Sequence, residues 1–167
     1  FDRCIIATGG ASYPQTGSDG DGYRFAENLG HTIKEIKPSL VPLVSHDKCC
    51  RDMMGLSLKN VSLRMTNGKK ELYSEFGEML FTHFGISGPT VLSASAHLKG
   101  DCHLSIDLKP ALEESKLDER ILRDLDTYRN RTMENALTDL LPRSMIPVVL
   151  RRIGVDGALQ ANSFTKQ

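Results

Sequence analysis

The stretch Cys4-Ile5-Ile6-Ala7-Thr8-Gly9-Gly10-Ala11-Ser12-Tyr13-Pro14 carries the reading of the fold. Its apolar run from Cys4 to Ala7 is short and ends on two glycines, the pattern of a buried parallel strand running into a tight turn. Neither glycine has a Cβ, so the main chain can approach a ligand closely, and its amides can face a phosphate or a ring edge. The same pair also suits an ordinary turn that needs positive φ. A buried strand at the very start of a chain, with no initiator Met, needs neighbours on both sides, so we read the chain as an internal fragment of a longer protein.

Downstream, Ser18, Asp19 and Asp21 are cap candidates for a helix through Tyr23, Phe25, Ala26 and Leu29, which Gly30 should end in a left-handed conformation. His31 to Ile36 alternates like a short strand, broken by Pro38 and Pro42. Leu58, Val61, Leu63 and Met65 fall on mostly alternating positions, and Asn67-Gly68 predicts a type I′ hairpin turn into a strand over Lys70 to Glu75. Met79 to Thr82 is another short strand candidate. Pro89 suits the first turn of a helix, and Cys102, Leu104, Ile106 and Leu108 alternate with polar residues. Beyond residue 110 the spacing is helical. Leu117, Ile121, Leu125 and Tyr128 form one stripe, a second helix covers roughly Met133 to Leu140, and Pro142 opens a third. That third helix should carry Met145, Val148, Val149 and Ile153 on one face and end at Gly154.

Lys+Arg and Asp+Glu are equal at 21 each in 167 residues, a balance that offers no electrostatic footprint for nucleic acid or an anionic membrane. No apolar run is long enough to span a bilayer, and no secretory leader is visible. The four cysteines, Cys4, Cys49, Cys50 and Cys102, form no CxxC pair, and the five histidines form no HExxH. We therefore expect no metal site and reduced thiols in a cytoplasmic setting. Gly85-Ile86-Ser87-Gly88-Pro89 departs from the G-x-S-x-G nucleophile elbow at Pro89. A helix cap at Ser87, or at the Ser87-Gly88 pair, ahead of Pro89, fits it better.

Read as a series, Ala7-Thr8-Gly9-Gly10, Gly17-Ser18-Asp19-Gly20-Asp21-Gly22-Tyr23, Leu29-Gly30-His31, Pro38-Ser39-Leu40-Val41-Pro42-Leu43 and Phe81-Thr82-His83-Phe84-Gly85-Ile86-Ser87-Gly88-Pro89 resemble the bacterial BaiN/YhiN flavoprotein family of NAD(P)/FAD-dependent oxidoreductases. The specific motifs cover residues 4 to about 97. The resemblance implies a mixed α+β and α/β chain. Residues 1–40 would belong to a Rossmann-like FAD domain, residues 41–108 to a β-barrel-like insert, and residues 109–167 to a truncated helical subdomain. It implies FAD in the intact protein, a possible nicotinamide donor, and a small-molecule substrate. Cofactor contacts would come from Thr8, Gly9, Gly10, Ser12, Tyr13, Pro14, Gly17 and Ser18, with Gly17 and Ser18 starting the next helix. His83 and Ser87 are substrate-cleft candidates. No catalytic side chain is assigned, because flavins carry the hydride chemistry themselves. The N-terminal GxGxxG that seats the FAD pyrophosphate is absent, and Gly17-x-x-Gly20-x-Gly22 has the wrong spacing for it. The expected partners are the remaining parts of the FAD domain, with a homo-oligomer through an exposed strand edge as a further option. The rival reading is a cofactor-free insert, residues 41–167, that recognises substrate or a protein surface.

Overall fold

A computed structural model describes residues 2–163. The chain divides into two compact units, the first ending at Lys37 and the second starting at Pro38.

In the first unit the run from Cys4 to Thr8 is neither a strand nor buried, contrary to the sequence expectation. Ile5 stands 90% exposed, and no strand among the described residues pairs with it. A strand exists only if its N–H and C=O groups find a partner, so the propensity of this run goes unused. His31 to Ile36 likewise forms no strand, for the same reason. The helix does form as α1, Asp21–Asn28, and Gly30 takes φ +88° after its end. It starts later than Gly17-Ser18 predicts. Gly17 instead closes a 3-10 turn at Pro14–Thr16, and the N-cap is Gly20 at φ +85°. Asp19 still serves the helix start, since its Oδ1 accepts the Asp21 N–H at 3.2 Å.

The second unit is built on one antiparallel sheet. Its strands are β1 (Leu43–Val44), β2 (Ser57–Asn67), β3 (Lys70–Phe81), β4 (Gly85–Ser87) and β5 (His103–Asp107). They lie in the order β1-β4-β3-β2-β5, a curled half-barrel. Helix α2, Cys49–Asp52, precedes β2, and α3, Pro89–Ser95, follows β4. The run expected at Met79–Thr82 is not a separate strand: Met79 to Phe81 is the far end of β3, paired with β2 at Leu58↔Met79 and with β4 at Phe81↔Ile86, and Thr82 lies just beyond it. The spacing of three between Leu58 and Val61 has a physical cause. Asn60 adopts φ +57° and the register shifts between Leu58 and Val61, a β-bulge that returns both side chains to the same buried face. The hairpin also differs from the expected turn. Asn67 pairs with Lys70, so Gly68 and Lys69 are the central residues, and of the two only Gly68 has positive φ. That is the II′ pattern, not I′.

Two buried clusters follow. Leu63, Met65, Met79, Phe81, Ile86 and Val91 centre the first, between the sheet and α3. Each such side chain removed from water contributes about 1.5–3 kcal/mol. The second lies among α4 (Glu114–Thr127), α5 (Met133–Ala136) and α6 (Ile146–Ile153). The predicted stripe of Leu117, Ile121, Leu125 and Tyr128 packs there. The second predicted helix is shorter than expected, and the third begins at Ile146, with Pro142 heading the turn before it. Helix α6 serves both clusters. Met145, just before it, and Val148 face the sheet core, while Ile146 and Leu150 face the helical one. Ile153, expected on the buried face, is 61% exposed, and Gly154 caps the helix at φ +71°.

Candidate functional site

The glycine turn of the first unit is shaped by close approach. Gly9 sits at φ +76°, and a Cβ there would lie 3.7 Å from Ser18 Oγ. A Cβ on Gly10 would come within 3.3 Å of Tyr23 Oη, and one on Gly22 would collide with Thr8 Oγ1. Thr8 and Gly10 thus lie against the first turn of α1, at Gly22 and Tyr23, while Gly9 is in ordinary contact with Ser18 ahead of the helix. The turn itself is open, with Thr8 and Gly9 exposed and Gly10 half-buried. Ser12, Tyr13 and Pro14 lie on the following loop. Tyr13 is in the left-handed region at φ +56° and 71% exposed, and its carbonyl accepts both the N–H and the hydroxyl of Thr16, at 2.9 and 2.7 Å.

In the second unit, His83 and Phe84 lie in the three-residue loop, Thr82 to Phe84, between β3 and β4. The Thr82 N–H donates to Gly85 O at 2.8 Å, and the Gly85 N–H donates to Thr82 Oγ1 at 3.1 Å. The two rings meet edge to face, with centroids 4.9 Å apart. They form one wall of an open cleft of about 570 Å³ whose other wall is the segment from Ser45 to Asp52. Ser87 does not line this cleft. It pairs with Leu80 in the sheet, and the N-cap of α3 is Gly88, with no side-chain capping bond. The GISG segment is explained by packing. A Cβ on Gly85 would strike Leu43 O and lie 2.7 Å from Ser45 N, and one on Gly88 would lie 2.8 Å from Met79 Cα.

The far wall was not legible as a site, because its partners are distant in sequence. Asp47 pairs with Arg152 and Asp52 with Arg151, tying α2 and the loop before it to α6. Asp47 Oδ1 also accepts the Cys49 N–H at 2.9 Å. That bond and a second one from the Cys49 side chain, together with the Arg152 guanidinium, hold the Asp47 carboxyl below the usual carboxylate range. Burial, together with the Asp47 hydrogen bond, pushes the Cys49 thiol up to about 12. It is a packed thiol and not a nucleophile. Cys50 is buried at the cleft floor.

Among the described residues, no cluster of His, Cys, Asp and Glu could hold a metal ion, and no helix is long and apolar enough to cross a membrane. Residues 37–167 match the family described as HI0933-like protein barrel and H2TH domain. The chain is 32% identical to the 3-dehydro-bile acid delta(4,6)-reductase of Clostridium scindens over 89% of its own length and 38% of that protein's. It is 30% identical to the ribosomal RNA dihydrouridine synthase of Escherichia coli, over 87% of the chain and 35% of the relative. It is 32% identical to the protein of the same name in Haemophilus influenzae, over 95% and 38%. The chain thus spans less than two-fifths of the length of these relatives. On the match over residues 37–167 and the motifs along its first half, the chain belongs to the HI0933-like, BaiN/YhiN-like protein family.

Proposed function

We propose that this chain is the part of an FAD-dependent reductase that supplies a flavin-side turn and a substrate-facing half-barrel. The names of its relatives describe one kind of reaction, the addition of hydrogen across a carbon–carbon double bond. One carbon receives a hydride and the other a proton. When bound, FAD supplies the hydride, with a nicotinamide as its own source. The observation that carries the reading is the open Gly9-Gly10 turn, with Gly9 in the left-handed region at φ +76° and Gly10 close to Tyr23 of α1. Such a turn lets Thr8, Gly9 and Gly10 offer main chain to a flavin, while Tyr13 and Pro14 border it. It is a supporting contact and not the seat of the pyrophosphate, so the rest of a Rossmann-like domain is required.

Intact protein containing this chain should be yellow and release flavin on denaturation. Gly9→Val, which is strained at φ +76°, should lower the flavin content. The 167-residue chain alone should show no saturable FAD titration. A colourless intact protein would overturn the assignment. The second reading, cofactor-free recognition by residues 41–167, is favoured by the position of the cleft between Ser45 and Phe84. A folded, flavin-free protein that still binds its ligand there would establish it.

A further inference from the structure

We propose that Tyr23 is a flavin contact: its phenol O–H, held at the Gly9-Gly10 turn by α1, donates a hydrogen bond to the isoalloxazine of bound FAD. The proposal rests on the reductase reading and adds to it a side chain with a definite electronic effect.

The two glycines of the turn are bare for different reasons. Gly9 has φ +76°, and a Cβ there would make only an ordinary contact, 3.7 Å from Ser18 Oγ. Gly10 is not in the left-handed region, so its backbone does not demand glycine. What stands in the way of a side chain there is Tyr23, whose Oη would lie 3.3 Å from the Cβ. Gly20, with φ +85°, borders the same ring, since its Cβ would lie 3.3 Å from Tyr23 Cδ2. Two positions without side chains thus leave room for one phenol, ring beside Gly20 and hydroxyl beside Gly10.

A phenyl ring would fill that gap as well, so the hydroxyl is the informative atom. Tyr23 is half-buried, and its O–H has no hydrogen-bond partner among the described residues. A phenol in such surroundings normally has one. The turn beside it is open, with Thr8 and Gly9 exposed, so whatever lies on the turn can supply the acceptor. Charge selects which part of FAD that is. The approach to α1 carries Asp19 and Asp21, and the adjacent cation, Arg24, is already paired with Asp21. A diphosphate would meet two carboxylates, whereas oxidised isoalloxazine is uncharged and offers carbonyl oxygens and ring nitrogens. A donor at one of those atoms stabilises the electron density that the ring gains on reduction.

The test uses intact protein with its flavin. Tyr23→Phe keeps the ring between Gly10 and Gly20 and removes only the O–H. It should weaken FAD binding about two- to tenfold, the worth of one hydrogen bond. It should also shift the flavin absorption bands and lower the midpoint potential, with circular dichroism unchanged. Gly10→Ala should displace the hydroxyl and produce the same spectral shift. In the Tyr23→Phe background the same Gly10→Ala change should have little further effect, because the atom it crowds is gone. An unchanged spectrum and potential in Tyr23→Phe overturn the proposal, whether or not affinity falls. If the wild-type protein carries flavin and Tyr23→Phe behaves so, the contact falls and the reductase reading stands. A wild-type protein without flavin overturns both.

Discussion

Gly85 and Gly55 separate two reasons for glycine. Gly55 has φ +85° and open space around its missing Cβ, so Gly55→Ala should cost only the left-handed penalty, about 1–2 kcal/mol. Gly85 is hemmed in by the backbone of β1, which cannot move without opening its pairing with β4. Gly85→Ala should therefore cost about 3 kcal/mol or more, read from urea midpoints of the two variants. The cysteines differ just as clearly. Alkylation mapped by mass at mildly alkaline pH should modify exposed Cys4 first and leave Cys49 largely unmodified, because the thiolate is the reactive form. At this scale the sequence was readable where backbone need is local. Gly30 and Gly154 both stop helices in the left-handed region, as their positions suggest. Gly85 and Gly88 were not readable, because the atoms that exclude a Cβ come from other strands.

Among the elements, β2 shows how period and geometry interact. An unbroken alternation would put Leu58 and Val61 on opposite faces, and the bulge at Asn60 reconciles them. Asn tolerates φ +57° better than most residues, so Asn60→Gly should be stability-neutral within about 0.5 kcal/mol. Asn60→Val should cost roughly 1–2 kcal/mol in the same urea assay. The hairpin, α3, β5 and the stripe of α4 were legible because each depends on contacts within a few residues or on simple periodicity. The strands expected at Cys4–Thr8 and His31–Ile36 failed because a strand is a property of a pair, and one run of side chains cannot specify the other.

Over the whole molecule, the two units differ in what holds them. No described residue before Lys37 is buried, and Ile5, Phe25 and Leu29 all stand open. The second unit has two buried clusters. Brief trypsin digestion should cut within residues 2–37 first and leave a resistant product that starts near Pro38, identified by mass spectrometry. Survival of the first segment under those conditions would contradict this description. The family was legible from ordered short motifs. The cleft was not, since Asp47 and Arg152 meet across 105 positions and nothing in either neighbourhood announces the other.

Because α6 is wedged between two interiors, its attitude is a compromise that each of them can shift. Its last turn carries the guanidinium groups that mask Asp47 and Asp52. A truncation such as Leu150→Ala, far from the cleft in purpose, would thus loosen that masking and alter the potential felt at Lys48. The helical layer acts as a tuning peg for a surface it does not line.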